Sequence, residues 1–152
     1  MVAGYLGSLG IANCVMSIKR SYGLGTEFPC EAFVQAAIEE HFQRLGFTTD
    51  NSGHIDLLCN RPGTAECWHI EAKGRTSQPG LDFRTCLGQL VQRIREKDTR
   101  YGIALPDIPQ YTSQINTMSA WVIEALGIHW LLVSPDKSVR MVSPSSVAQR
   151  DA

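Results

Sequence analysis

The segment Cys67-Trp-His-Ile-Glu-Ala-Lys73 decides how this chain is read. Its polar and apolar residues alternate, which is the pattern of a β-strand. On a strand, Glu71 and Lys73 project from one face about 7 Å apart, while Ile70 and Ala72 turn the other way into packing. Just upstream, His54-Ile-Asp-Leu-Leu-Cys59 reads as a second strand, and Asn60-Arg-Pro-Gly-Thr64 as the turn that joins them. If the two strands pair, Asp56 approaches Glu71.

Outward from this hairpin, helical and extended patterns follow in a readable order. Val34, Ile38, Phe42 and Leu45 recur at helical spacing between Cys30 and Leu45, with Pro29 before them and Gly46 to stop the helix. Phe47 to Asp50 is expected as a short strand, followed by the turn residues Asn51, Ser52 and Gly53. Beyond the hairpin, Gly74, Pro79 and Gly80 mark a loop. Leu87, Leu90, Val91 and Ile94 then form the apolar stripe of a helix from about Phe83 to Lys97. Tyr101 to Leu105 reads as a strand, and Ile115, Met118, Val122 and Leu126 as one helix ending at Gly127. His129 to Val133 and Ser138 to Val142 complete the set as strands. This order predicts an α/β fold: a mixed sheet, antiparallel at the start and parallel later, with helices on both faces. The core spans 29–143. Residues 1–28, rich in glycine, form an arm, and 144–152 a flexible polar tail.

Composition narrows the class. At 152 residues with 43% hydrophobic content the chain suits one domain with a sizeable core. No run of about 18 apolar residues occurs, which excludes a spanning helix and a membrane partner. The start lacks the leading positive charge of a secretory signal. Five cysteines, an odd number with no CxxC pair, suit reduced thiols in the cytoplasm rather than a disulfide framework or a zinc site. Cys59 and Cys67 could meet across the hairpin, though small strand residues explain them as well.

The net charge of −1 conceals two patches. Residues 26–60 carry six acids and one base, a net of −5, whereas 61–100 carry eight bases and five acids, a net of +3. Asp56 and Glu71 brought together would repel unless a cation lay between them. Mg²⁺ or Mn²⁺ suits such an oxygen-rich site. Lys73 beside it could orient or help deprotonate a water, and could neutralise charge building on a phosphoryl oxygen. The alternative is a solvent-facing Glu and Lys on an edge strand. Glu31 sits in the first turn of its helix, where it either holds metal-bound water or simply complements the helix N-terminus.

Glu31, Asp56 and Glu71-Ala-Lys73, in this order, resemble the motifs of the PD-(D/E)XK nuclease superfamily, with Ile55 where the motif's namesake proline would stand. The likeness spans about Pro29 to Val133. It implies a restriction-endonuclease-like three-layer sandwich, with a central sheet of about five strands. It also implies a metal-dependent endonuclease acting on DNA in restriction, repair or mobile-element processing. By this resemblance Asp56, Glu71 and the Ala72 carbonyl hold the metal, Lys73 is the catalytic base or positioner, and homodimers are common. Leu87-Gly-Gln89-Leu resembles a segment in which a helix-borne Gln faces the site. Gln89 lies opposite the apolar stripe with Cys86 and Arg93 beside it. Arg75, Arg84 and Arg93 are candidate phosphate contacts, with Arg95, Lys97 and Arg100 a further basic group.

The remaining candidates read as structural. His41, His69 and His129 are expected as hydrogen-bonded or surface histidines; His54, two residues before Asp56, alone could reach the site. Trp68, Trp121 and Trp130 are expected in the core. No Ser-His-Asp set or phosphate-binding glycine loop can be assembled. The second functional reading keeps the fold but drops catalysis, leaving a nucleic-acid-binding or assembly subunit.

Overall fold

The computed structural model describes residues 25–145, so most of the expected arm and nearly all of the tail lie outside the described residues. Helix α1, Glu31–Arg44, forms over the predicted stretch and buries Val34, Ala37, Ile38 and Phe42. Gly46, at φ 86°, reverses the chain where the helix was expected to stop. Leu45, expected on the inward stripe, is instead 47% exposed, because the helix has already ended at Arg44.

Strands β1 (Thr48–Asp50), β2 (Leu57–Asn60) and β3 (Cys67–Ala72) form the antiparallel start of the sheet. Strand β4 (Thr99–Pro106) pairs parallel with β3, and β5 (Ile128–Val133) parallel with β4. Strand β6 (Val139–Val142) returns antiparallel on β5. The open sheet has six strands in sequence order, the six segments read as strands and one more than the five or so that the resemblance implies. Strand β4 is buried along nearly its whole length, as a parallel strand covered on both faces should be.

Three further helices follow: α2 (Pro79–Arg93), α3 (Pro109–Asn116) and α4 (Ala120–Leu126). They differ from expectation in two ways. Helix α2 starts and ends four residues early, since Pro79 at its first turn supplies a ready-made φ and Ile94 leaves the helical region. Its inward stripe is therefore Phe83, Cys86 and Leu90, and Val91 is exposed. The single helix expected over Ile115 to Leu126 is two. Thr117 Oγ1 donates to the Gln114 carbonyl at 2.7 Å, and Ser119 is extended at ψ 133° as the start of α4.

Two cores lie on opposite faces of the sheet. Helix α1 covers Leu57, Cys59, Trp68, Ile70 and Ala72, while α2, α3 and α4 cover Tyr101, Ile103, Leu105, Ile128, Trp130 and Leu132. Trp121, by contrast with Trp68 and Trp130, is 72% exposed on α4 rather than in the core. Cys30, Cys59, Cys67 and Cys86 are free thiols. Cys59 and Cys67 are offset in the ladder: Cys59 faces Trp68, and Cys67 faces Asn60.

Candidate active site

Strand β2 begins at Leu57, three residues later than its sequence suggests, so His54, Ile55 and Asp56 lie ahead of it. The register of Leu57 against Ile70 would set Asp56 opposite Glu71 if the ladder continued. It stops instead because the Asp56 side chain takes over. Asp56 Oδ2 accepts the Ala72 N–H at 2.8 Å, where a backbone carbonyl of β2 would otherwise have been. Strand geometry turns the Ala72 carbonyl to this same side, next to the Asp56 carboxylate. The Lys73 N–H faces the other way and donates to Ala104 of β4 at 3.0 Å.

Helix α1 contributes two residues one turn apart. Gln35 Nε2 donates to the Asp56 carbonyl at 3.2 Å, fixing the backbone that presents the carboxylate. Glu31 Oε2 pairs with Lys73 Nζ at 3.3 Å. The helix is seated for this by glycine. A Cβ at Gly74 would stand 2.1 Å from the Glu31 amide nitrogen, so only glycine lets the end of β3 pass so close. Arg75 N–H donates to the Pro29 carbonyl at 2.8 Å, and the Tyr111 hydroxyl to the Gly74 carbonyl at 2.7 Å.

Glu71 lies on the α2 face of the sheet with a side chain only 3% exposed, and its carboxylate is paired with Arg93. Among the described residues Glu71 Oε1 and Arg93 Nη1 have no partner but each other. Burial works against the charge on Lys73, but the Glu31 carboxylate, with a smaller contribution from Asp56, outweighs it and holds its pKa above the ordinary lysine range. Cys86 on α2 is fully buried near this cluster, and burial pushes its thiol up to about 12. Around the end of β3, Glu31 is thus paired with Lys73 and Glu71 with Arg93, while the Asp56 carboxylate accepts the Ala72 N–H, which leaves three carboxylates to two cations.

The other expected residues divide by helix geometry. On α2, Gln89 falls between Cys86 and Arg93 on the flank that borders the cluster, and it is exposed. Cys86, expected beside it, turns fully inward. Arg84 and Arg93 are two and a half turns apart, so they leave opposite flanks of the helix. A Cβ on Gly80 would lie 3.8 Å from Arg84 Nη1 and 3.5 Å from Gln114 Nε2, which puts Arg84 toward α3 rather than the cluster. Arg75 and Arg84 are both exposed. Arg100 is spent on Glu66 at 3.1 Å. His54 is exposed and joins His69, Arg93, Arg95 and Tyr101 around a cavity of about 260 Å³ beside the Glu71 pair.

The residues that the sequence hid are Gln35 and Tyr111, while Gly74 was visible only as a loop glycine and Cys86 only as a neighbour of Gln89. None belongs to a motif, and only the fold brings them to Asp56 and Lys73. Arg93 was visible as a cation but not as the partner of Glu71.

The oxygens of Asp56, Glu71 and the Ala72 carbonyl are the hard donors that Mg²⁺ or Mn²⁺ takes, and the excess negative charge favours a cation. In that chemical sense they fit a divalent ion. Among the described residues no group of three or more His, Cys, Asp or Glu is drawn together as ligands. No helix among them is long and apolar enough to cross a membrane. Comparison with protein-family models, curated proteins and solved structures finds no match for this chain.

Proposed function

We propose that this chain is a divalent-metal-dependent nuclease that hydrolyses phosphodiester bonds in DNA, on a restriction-endonuclease-like fold. The observation that supports the reading is that the Asp56 carboxylate takes the Ala72 N–H while Lys73, the next residue, pairs with Glu31 of α1. A structural origin for each residue alone is easy. Asp56 beside the Glu31–Lys73 pair, at the place where β2 gives way to the Asp56 side chain, is what a hydrolytic site would use.

In this reading Asp56, Glu71 and the Ala72 carbonyl hold Mg²⁺ or Mn²⁺, which supplies Lewis-acid stabilisation of phosphoryl oxygens and a more acidic water. Lys73, whose ammonium form the Glu31 carboxylate favours, would orient the attacking water and screen charge on the phosphoryl group. Glu31 keeps that ammonium charged and aimed. Gln89 and Arg75, both exposed near the cluster, are the groups that meet the DNA.

One observation favours the second reading, a nucleic-acid-binding or assembly subunit without catalysis. Arg93 already neutralises Glu71, so the fold does not depend on a metal for that purpose. Calorimetry with Mn²⁺ separates the two. The nuclease reading expects saturable binding to the wild-type chain that Asp56→Asn weakens at least tenfold. An intact fold that binds no divalent cation would leave the second reading. Cleavage of plasmid and branched DNA with and without Mn²⁺ then tests the chemistry itself.

A further inference from the structure

Glu71 is 3% exposed, and a carboxylate so buried keeps its charge only with a cation against it. Among the described residues Arg93 is the one cation within ion-pair distance, because Lys73 is engaged by Glu31 on the other side of the cluster. Arg93 reaches this carboxylate from a position that can yield. It is the last residue of α2, its side chain is 31% exposed, and the chain leaves the helix at the next residue, Ile94, with ψ 104°. The cavity of about 260 Å³ that it borders with His54, His69 and Arg95 gives the guanidinium somewhere to go.

We infer that Arg93 is the resident counter-ion of Glu71, displaced into this cavity when a divalent cation takes up Glu71. The inference rests on the metal-dependent reading above and adds the residue that controls metal entry. A dication and a guanidinium on one carboxylate repel each other at close range, so binding the first favours release of the second. Metal affinity is thereby reduced by the fraction of molecules in which Arg93 is seated. The same step frees a positive charge beside the site, where a phosphate would arrive. Metal binding and phosphate binding then support each other, and by linkage they do so equally.

The test uses the whole chain uniformly labelled with ¹⁵N, following the Arg93 Nε signal and the Ala72 amide as Mg²⁺ is added. Arg93→Lys assigns the arginine signal. A saturable shift of Arg93 Nε toward the position of a free arginine, in step with the Ala72 amide, is the expected result. An Ala72 amide that moves while Arg93 stays fixed would overturn the inference and leave the metal site standing. If no signal responds, the metal-dependent reading fails and the inference with it. By calorimetry Arg93→Met should bind Mn²⁺ about tenfold more tightly than wild type. Equal or weaker binding would contradict the inference. Should that variant fail to fold, the wild-type signals decide alone.

Discussion

Gly74 and Glu31 are in backbone contact: a Cβ on Gly74 would lie 2.1 Å from the Glu31 amide nitrogen and 2.6 Å from the carbonyl carbon of Cys30. Neither neighbour is a side chain that can swing away. Gly74→Ala must therefore push α1 off the end of β3 and carry Glu31 away from Lys73. The expected loss is about 3 kcal/mol of stability, the upper end for overpacking, together with most of the activity. Urea denaturation measures the first. Gly88, exposed on α2 with nothing within 4 Å of its would-be Cβ, is the control, and Gly88→Ala should stabilise by about 0.5–1 kcal/mol.

In the proposed nuclease reading Lys73 acts through its charge. Lys73→Met should reduce single-turnover DNA cleavage about 10²- to 10³-fold, the size of effect seen when one preorganised transition-state donor is removed. Lys73 is only half-buried and its ion pair with Glu31 is partly solvated, so little stability should be lost. A thermal melt within a few degrees of wild type, beside a collapsed rate, is the expected pair of results.

Stability should depend on pH through three histidines. Burial is the main cause that lowers the pKa of His41, His69 and His129 below the ordinary value of 6.5. The unfolded chain then binds more protons than the folded one as pH falls through this range. The contribution is complete above about pH 7.5 and is lost progressively as pH drops through about 6.5 and below. Urea midpoints at pH 8, 6.5 and 5.5 check this. Identical midpoints at all three would contradict it.

Thiol reactivity should divide the cysteines. Cys59 and Cys86 are fully buried with thiols pushed up to about 12, so almost no thiolate forms and reagent cannot enter. Cys30 and Cys67 are half-buried. Peptide mapping after brief alkylation of the native chain should find label at Cys30 and Cys67 and spare Cys59 and Cys86 until denaturant is added.

Much of the fold was legible because its signals are periodic. The 3.6-residue repeat of Val34, Ile38 and Phe42 and the alternation of β3 follow from backbone geometry alone. Boundaries were less legible where a side chain competes with the backbone. Asp56 caps Ala72 and so cuts β2 short at Leu57, and Thr117 and Ser119 divide a helix that apolar spacing alone would run through. At the site, the approach of Asp56 to the end of β3 could be read from strand periodicity and one turn. The Arg93 pair could not, because it depends on where α2 ends and how it packs over β3. The sequence stripe on Leu87 and Val91 pointed α2 about half a face away from its true inward side, Phe83, Cys86 and Leu90.

The central claim is that Asp56 and Lys73 belong to one metal-dependent hydrolytic site. Conversion of supercoiled plasmid to nicked or linear DNA in Mn²⁺, for wild type, Asp56→Ala and Lys73→Ala at equal concentration of folded protein, tests it most directly. The account predicts cleavage by wild type that requires the metal, and a loss of at least about 100-fold in each variant. Cleavage that persists in both variants, or that never appears in wild type on plasmid or branched DNA, would contradict it.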